Sequence, residues 1–275
     1  MEGFDLFHTK LWYPLSFLGI HSPFMALNAH TLVFTWATLI LIFIGSCLCR
    51  WALRDEKSIA SHIIISGINT LKDLLNQSID HFEYKYFAFI TTLFIFIFVC
   101  NSLILIPHLE EPTKDLNTTF ALALMAFFYI QKESIRHHGL FGYLKDFFKI
   151  PFTFDATKNL APLDLIIIPA KAIVNLASAL FTLPLELIGR VATIISLSFR
   201  LFGNIFGGSI ISALWQKLLT KSVFLQFFGI FSGFNLIIAL FFGLFEGFIQ
   251  AFVFTILTLT YLSLALRSTH EGEEI

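Results

Sequence analysis

The chain has 275 residues, 56% of them hydrophobic and 13% charged, and a net charge of −1. Soluble domains carry about 25% charged residues, so this composition belongs in a bilayer and excludes a soluble globular protein. The near-neutral charge leaves no basic surface and excludes nucleic acid as a partner.

The first thirty residues lack a basic stretch followed by an apolar core, so no cleaved signal peptide is expected, and 1–30 reads as an outer N-terminal segment. The first span is expected from Thr31 to Cys49, ending at Arg50. A polar stretch follows to Tyr86. Within it Ile59, Ile63, Ile64, Ile68, Leu71, Leu74 and Leu75 fall at near-helical spacing, which predicts a helix lying on the membrane surface. The second span runs from Phe87 to Ile106 and ends at Pro107. An acidic loop, HLEEPTKD, leads to a third span over Asn117–Ile130, which is short unless its ends are extended.

Charge sets the orientation. Segment 50–86 carries Arg50, Arg54, Lys57, Lys72 and Lys85, and segment 131–162 carries Lys132, Arg136, Lys145, Lys149 and Lys158. The loop 107–116 has only Lys114. The positive-inside rule puts both basic segments on the cytoplasmic or matrix side and the N-terminus outside. Residues 163–183 are apolar with Pro169 and Lys171 inside, and read as a re-entrant segment or a short extra span. Cys47, Cys49 and Cys100 lie in or beside apolar runs and read as buried thiols, not as a disulfide framework or metal site. No cofactor is expected.

Two segments are too long for a perpendicular span. Leu185–Leu219 is helical in pattern for ~52 Å and Ser222–Leu266 for ~68 Å, against a hydrocarbon core of ~30 Å. Two slanted antiparallel helices joined near Lys217–Lys221 satisfy both. The alternative is a break at Gly229 or Gly233. The fold class is therefore an all-α integral membrane protein: an N-terminal transmembrane helix, a surface amphipathic helix, two transmembrane helices and a long tilted helical hairpin. The chain reads as one membrane domain, with peripheral helices over 31–162 and the hairpin over 185–268.

Arg200 lies within SLSFRLFGNIFGGSII, with no other charge between Arg190 and Lys217. An arginine at the centre of a membrane helix costs about 2.5–3.5 kcal/mol on insertion scales, so it is kept for a role. Asn204 is its i,i+4 neighbour, and Glu186 lies on nearly the same face ~21 Å away. On the second long helix Glu246 and Gln250 are again i,i+4. An arginine, an acid and two amides on facing helices read as an ion path. The bland alternative is an internal Arg200–Glu246 salt bridge, and for Glu186 a local pair with Arg190. Gly203, Gly207 and Gly208, with Gly243 and Gly247 on the other helix, form small-residue faces that let another helix approach.

PLELIGRVATIISLSFRLFGNIFGG, followed by FEGFIQAFVFTILTLTYLSLAL, resembles subunit a of F-type ATP synthases, and NSLILIP and LNTTFALAL continue the likeness upstream. The resemblance implies two tilted helices wrapping a ring of c subunits, with two offset aqueous half-channels. It implies b-type peripheral stalk subunits, the other ATP synthase subunits and the lipid bilayer as further partners. Arg200 matches the arginine separating the half-channels, Asn204 and Gln250 the polar positions beside it, and Glu186 an acid of the cytoplasmic or matrix half-channel. The five glycines would pack against the ring. A guanidinium lowers the pKa of a ring carboxylate and cannot itself release a proton, so it blocks a leak. Each translocated charge is worth about 2.3 kcal/mol per 100 mV. With no GxxxxGK[ST] here, the subunit is not expected to be an enzyme by itself.

The departures matter. Where many members carry Glu or His there is Ser209, where many carry an acid or His there is Gly243, and a frequent acid position is Ile104. Glu246 is expected to replace the group missing at Gly243, and His108, Glu110 or Glu111 to serve the outer access. A bacterial inner membrane fits, with a mitochondrial inner membrane as the alternative, and the C-terminus on the cytoplasmic or matrix side. A secondary transporter would show repeats with matched broken helices, and a scaffold would not need Arg200. A membrane enzyme would carry a catalytic cluster, and neither HExxH nor a nucleophile elbow occurs.

Overall fold

The structure, a computed structural model, describes residues 11–12, 27–55, 57–79, 82–106, 109–147, 164–220, 227 and 233–267. His108, Gly229, Lys221 and most of segment 1–30 lie outside the described residues. The chain is an all-α integral membrane protein. A two-residue antiparallel pairing, β1 (Leu11–Trp12) with β2 (Leu27–Asn28), precedes the helices. Among the described residues four helical stretches are long and apolar enough to cross a membrane: Ala29–Ala52, Tyr84–Leu105, Leu180–Leu219 and Leu236–Leu266.

Helix α1 (Ala29–Ala52) starts where the Asn28 side chain accepts a hydrogen bond from the His30 amide at 3.1 Å, satisfying an orphan donor of the first turn. Its Val33, Trp36, Ile40 and Phe43 point outward, and Thr38 alone is buried, as suits a helix solvated by lipid. The Thr38 hydroxyl closes onto the Phe34 carbonyl. Helix α2 (Ile59–Ser78) matches the expected amphipathic helix, with Ile59 and Ile63 exposed on one side and Leu75 buried. Helix α3 (Tyr84–Ser102) runs into a 3-10 turn, Leu103–Leu105.

The loop then makes a second 3-10 turn, Pro112–Lys114, and Asp115 caps helix α4 (Leu116–Phe147) by accepting from the Asn117 amide at 3.0 Å. The third apolar segment is thus extended at its C-terminal side well past Ile130. Helix α4 is interrupted at Gly139, whose φ of 70° and ψ of 168° no helix tolerates.

Two expectations change. Residues 164–183 are the N-terminal part of α5 (Asp164–Leu219), a continuous 56-residue helix, and do not turn back. The second long segment is not helical from Ser222 throughout. Gly233 adopts φ 64°, a left-handed conformation that glycine enters without Cβ strain, and opens α6 (Phe234–Ala239). The run continues through a π-helical stretch, Leu240–Glu246, into α7 (Gly247–Arg267).

Contacts group into two compact units, 1–121 with 198–259, and 122–197 with 260–275. In the first, α1 packs on α3, and both meet the Pro112–Lys114 turn. Its core includes Ile90, Leu93, Ile97, Leu201, Ile205 and Phe254. Phe248 sets its ring edge-on to Phe94 and Phe98, each at 5.8 Å, a favoured aromatic geometry. In the second, the buried Ser134 hydroxyl donates to the Ala265 carbonyl at 3.4 Å, and the buried Glu133 carboxylate lies 3.9 Å from Arg136.

Candidate functional site

The first unit carries most of the expected polar residues. Asn204 on α5 donates to the Gln250 side-chain oxygen on α7 at 2.8 Å, so the two amides tie the two helices together. Gln250 is 2% exposed, and among the described residues its amide nitrogen has no hydrogen-bond partner. A buried donor left open is costly, so this nitrogen marks a place where an acceptor is wanted. One turn before Asn204, Arg200 is exposed. Among the described residues Arg200 makes no hydrogen bond or ion pair, with Glu246 or any other acid. Two residues before it, Ser198 is fully buried and shares a 3.2 Å hydrogen bond with Thr119. That bond helps fix the rotation of α5, and the rotation turns Arg200 outward.

Glu246 is half-buried at the end of the π stretch and also lacks an ion-pair partner among the described residues. A π turn offsets the residues around it from α-helical register. Gly243 and Gly247, four residues apart and so on one face, are both buried against the end of α3 and the turn after it. A Cβ on Gly243 would collide with the Ile104 side chain, and one on Gly247 would come within 2.8 Å of the Asn101 Cβ. Gly208 is likewise covered, by Phe242. Among the described residues Gly203 and Gly207 have nothing within 4 Å of an added Cβ. Of the five glycines expected to receive a neighbouring ring, three therefore receive side chains of this chain, and two remain open.

Ile104 and Gly243, two of the three positions at which the resembled family often carries an acid or histidine, thus press on each other. Polar chemistry moves one turn away. Asn101, fully buried, donates to the Gly247 carbonyl at 3.2 Å and accepts from the Thr113 hydroxyl at 2.8 Å. This links the Pro112–Lys114 turn, α3 and α7, and sequence reading did not find it.

The same loop holds Glu111, 7% exposed. Burial pushes its carboxyl up to about 7. Its own backbone hydrogen bond and Lys114 oppose that shift, and Glu110 adds to it. Asp115 of this loop accepts from the Thr31 hydroxyl of α1 at 3.0 Å.

In the second unit Glu186 is not a free acid. Arg190 donates to it at 3.2 Å, to the Gln131 side-chain oxygen at 2.7 Å and to the Tyr143 hydroxyl at 3.0 Å. Tyr143 in turn donates to Gln131 at 2.7 Å. The local pairing of Glu186 with Arg190 is therefore formed. The Ser209 hydroxyl donates to the Phe206 carbonyl of its own helix at 2.8 Å. Cys47, Cys49 and Cys100 are free thiols, the first two exposed and only Cys100 buried.

The family model described as ATP synthase A chain matches residues 32–263. The chain is 31% identical to ATP synthase subunit a 2 of Picosynechococcus sp., over 88% of this chain and 87% of that one. It is 31% identical to ATP synthase subunit a of Moorella thermoacetica, over 85% and 88%, and to ATP synthase subunit a of Helicobacter hepaticus, over 90% and 93%.

Proposed function

The chain belongs to the ATP synthase A chain family, and from that premise we propose that it is the stator half of the proton path in the membrane sector. Protons enter and leave through two offset half-channels, and Arg200 separates them at the surface facing a c-subunit ring. The observation that carries this reading is the outward, unpaired guanidinium of Arg200 on an apolar helix. An arginine meant as an internal strut would be neutralised inside the chain, because an uncompensated charge in lipid is expensive. An arginine meant to meet a passing carboxylate must be left open. It favours the ionised form of that carboxylate and, holding its own proton, cannot leak.

The remaining residues take roles around it. The Asn204–Gln250 bond holds α5 against α7 beside Arg200, and the open Gln250 nitrogen offers a donor to water or to the arriving carboxylate. Glu246, half-buried and unpaired, is the exchange acid that hands protons to the ring. Ser209 lines the same path. Glu186, held by Arg190, is a fixed negative charge at the other half-channel. Gly203 and Gly207 present the bare face on which a ring helix can close. The subunit performs no ATP chemistry. It works with the c-ring, b-type stalk subunits and the rest of the synthase in a bacterial inner membrane, its C-terminus on the cytoplasmic side.

The test is Arg200→Ala in membrane vesicles carrying the whole synthase. Normal subunit content, loss of proton-driven ATP synthesis and a proton leak through the membrane sector are expected. Retained ATP synthesis would overturn it.

A further inference from the structure

We propose that Glu111 is the proton-loading carboxyl at the loop-side mouth of the path, a role that rests on the proton-path reading above. The direct line between the end of α3 and the π stretch is closed by Ile104 against Gly243. The polar line that remains runs from the Glu111 loop through Thr113 and Asn101 to the Gly247 carbonyl, next in sequence to Glu246. The Asn101 oxygen keeps a lone pair beyond its bond from Thr113, and the Thr113 hydroxyl can accept as well as donate, so the line can take up a further hydrogen-bonded group such as water. Glu111 stands at its outer end, two residues before Thr113.

The groups around Glu111 suit a reversible proton acceptor. From α1 the polar contact to this loop is Thr31 on Asp115, and from α3 it is Asn101 on Thr113. Neither Thr31 nor Asn101 titrates, and His30 at the start of α1 is exposed. The charges acting on Glu111 are those of Lys114 and Glu110, which lie 3.7 Å apart as an ion pair and act on it with opposite sign. Burial then dominates and brings the carboxyl to about 7, where it both takes and releases a proton near neutrality. The step is a simple transfer. The Glu111 carboxylate takes a proton from hydronium on the loop side, releasing water. The resulting acid then gives that proton to water on the Asn101 side and returns to carboxylate. Glu110, exposed and beside Lys114, is a solvated partner without this position.

The experiment uses the complete synthase in vesicles, with loop-side pH varied at constant total driving force. Wild type should show an inflection in ATP synthesis near pH 7. Glu111→Gln should remove the inflection and lower the maximal rate about a hundredfold, the low end for loss of one acid–base group. Glu111→Asp should keep an inflection but move it. A Glu111→Gln rate and pH profile within twofold of wild type would overturn the proposal. If Glu111→Gln does not assemble, the Glu111→Asp profile decides, and an unmoved inflection overturns it. Arg200→Ala in the same vesicles separates the two levels. If Arg200→Ala abolishes synthesis while Glu111→Gln does nothing, only the Glu111 role fails. If Arg200→Ala still synthesises ATP, the underlying proton-path reading fails.

Discussion

Gly243→Ala introduces one methyl where the Ile104 side chain already stands. The obstacle is a branched Cγ2 that cannot swing clear without leaving its rotamer, so the added atom acts as overpacking, at about 1–3 kcal/mol. Ile104→Ala removes the obstacle and costs a transfer and cavity term. Since Ile104 is only half-buried, that term is at the low end for such truncations, about 2 kcal/mol. The two changes touch the same space, so the double variant should recover most of the Gly243→Ala penalty, a coupling of about 1–3 kcal/mol. Unfolding midpoints in mixed detergent micelles, read for wild type, both single variants and the double, give the cycle. Additive costs within about 0.5 kcal/mol would mean the two residues do not touch. The apolar closure between α3 and the π stretch would then be wrong, and with it the need for a detour through Asn101.

Three further outcomes are expected. Asn101→Leu leaves the Thr113 hydroxyl without its acceptor and takes the side-chain donor from the Gly247 carbonyl, and should cost about 1–3 kcal/mol, more than Thr113→Val, which removes one bond; equal costs would count against the linked arrangement. Glu111, raised from 4.5 to about 7, holds a proton in the fold that the unfolded chain has already released between those values. Stability should therefore fall by about 3 kcal/mol as pH rises from 4.5 to 7, and Glu111→Gln should flatten that slope in pH-dependent unfolding. Arg190→Met removes the donor shared by Glu186, Gln131 and Tyr143; these are partly exposed, so about 1–2 kcal/mol is expected, with part regained in Arg190→Met/Glu186→Gln, and a fully additive pair would show that Glu186 is not held by Arg190.

The membrane spans were legible because hydropathy over twenty residues is a local property. Arg200, Asn204 and Gln250 were legible because a polar group in an apolar run announces itself, and two of the three are hydrogen-bonded to each other. The glycines were only half legible. GxxxG shows that something packs closely and not what, and Gly243 and Gly247 proved to face α3, while Gly203 and Gly207 face outward. The break at Gly233 competed with Gly229 on equal terms, since either glycine can take a positive φ at no steric cost. Asn101, Thr113 and Gly247 were out of reach: their bonds join residues 12 and 146 apart, and nothing local couples them. The sequence offered Glu110 and Glu111 alike for the outer access, and burial distinguishes Glu111, 7% exposed, from the exposed Glu110.

The central claim concerns what meets Arg200, and a high-resolution map of the assembled synthase tests it most directly. A carboxylate of another chain is expected within hydrogen-bond reach of the guanidinium, with Glu246 apart from it. A guanidinium paired to Glu246, or facing lipid with no acid from the ring, would contradict it.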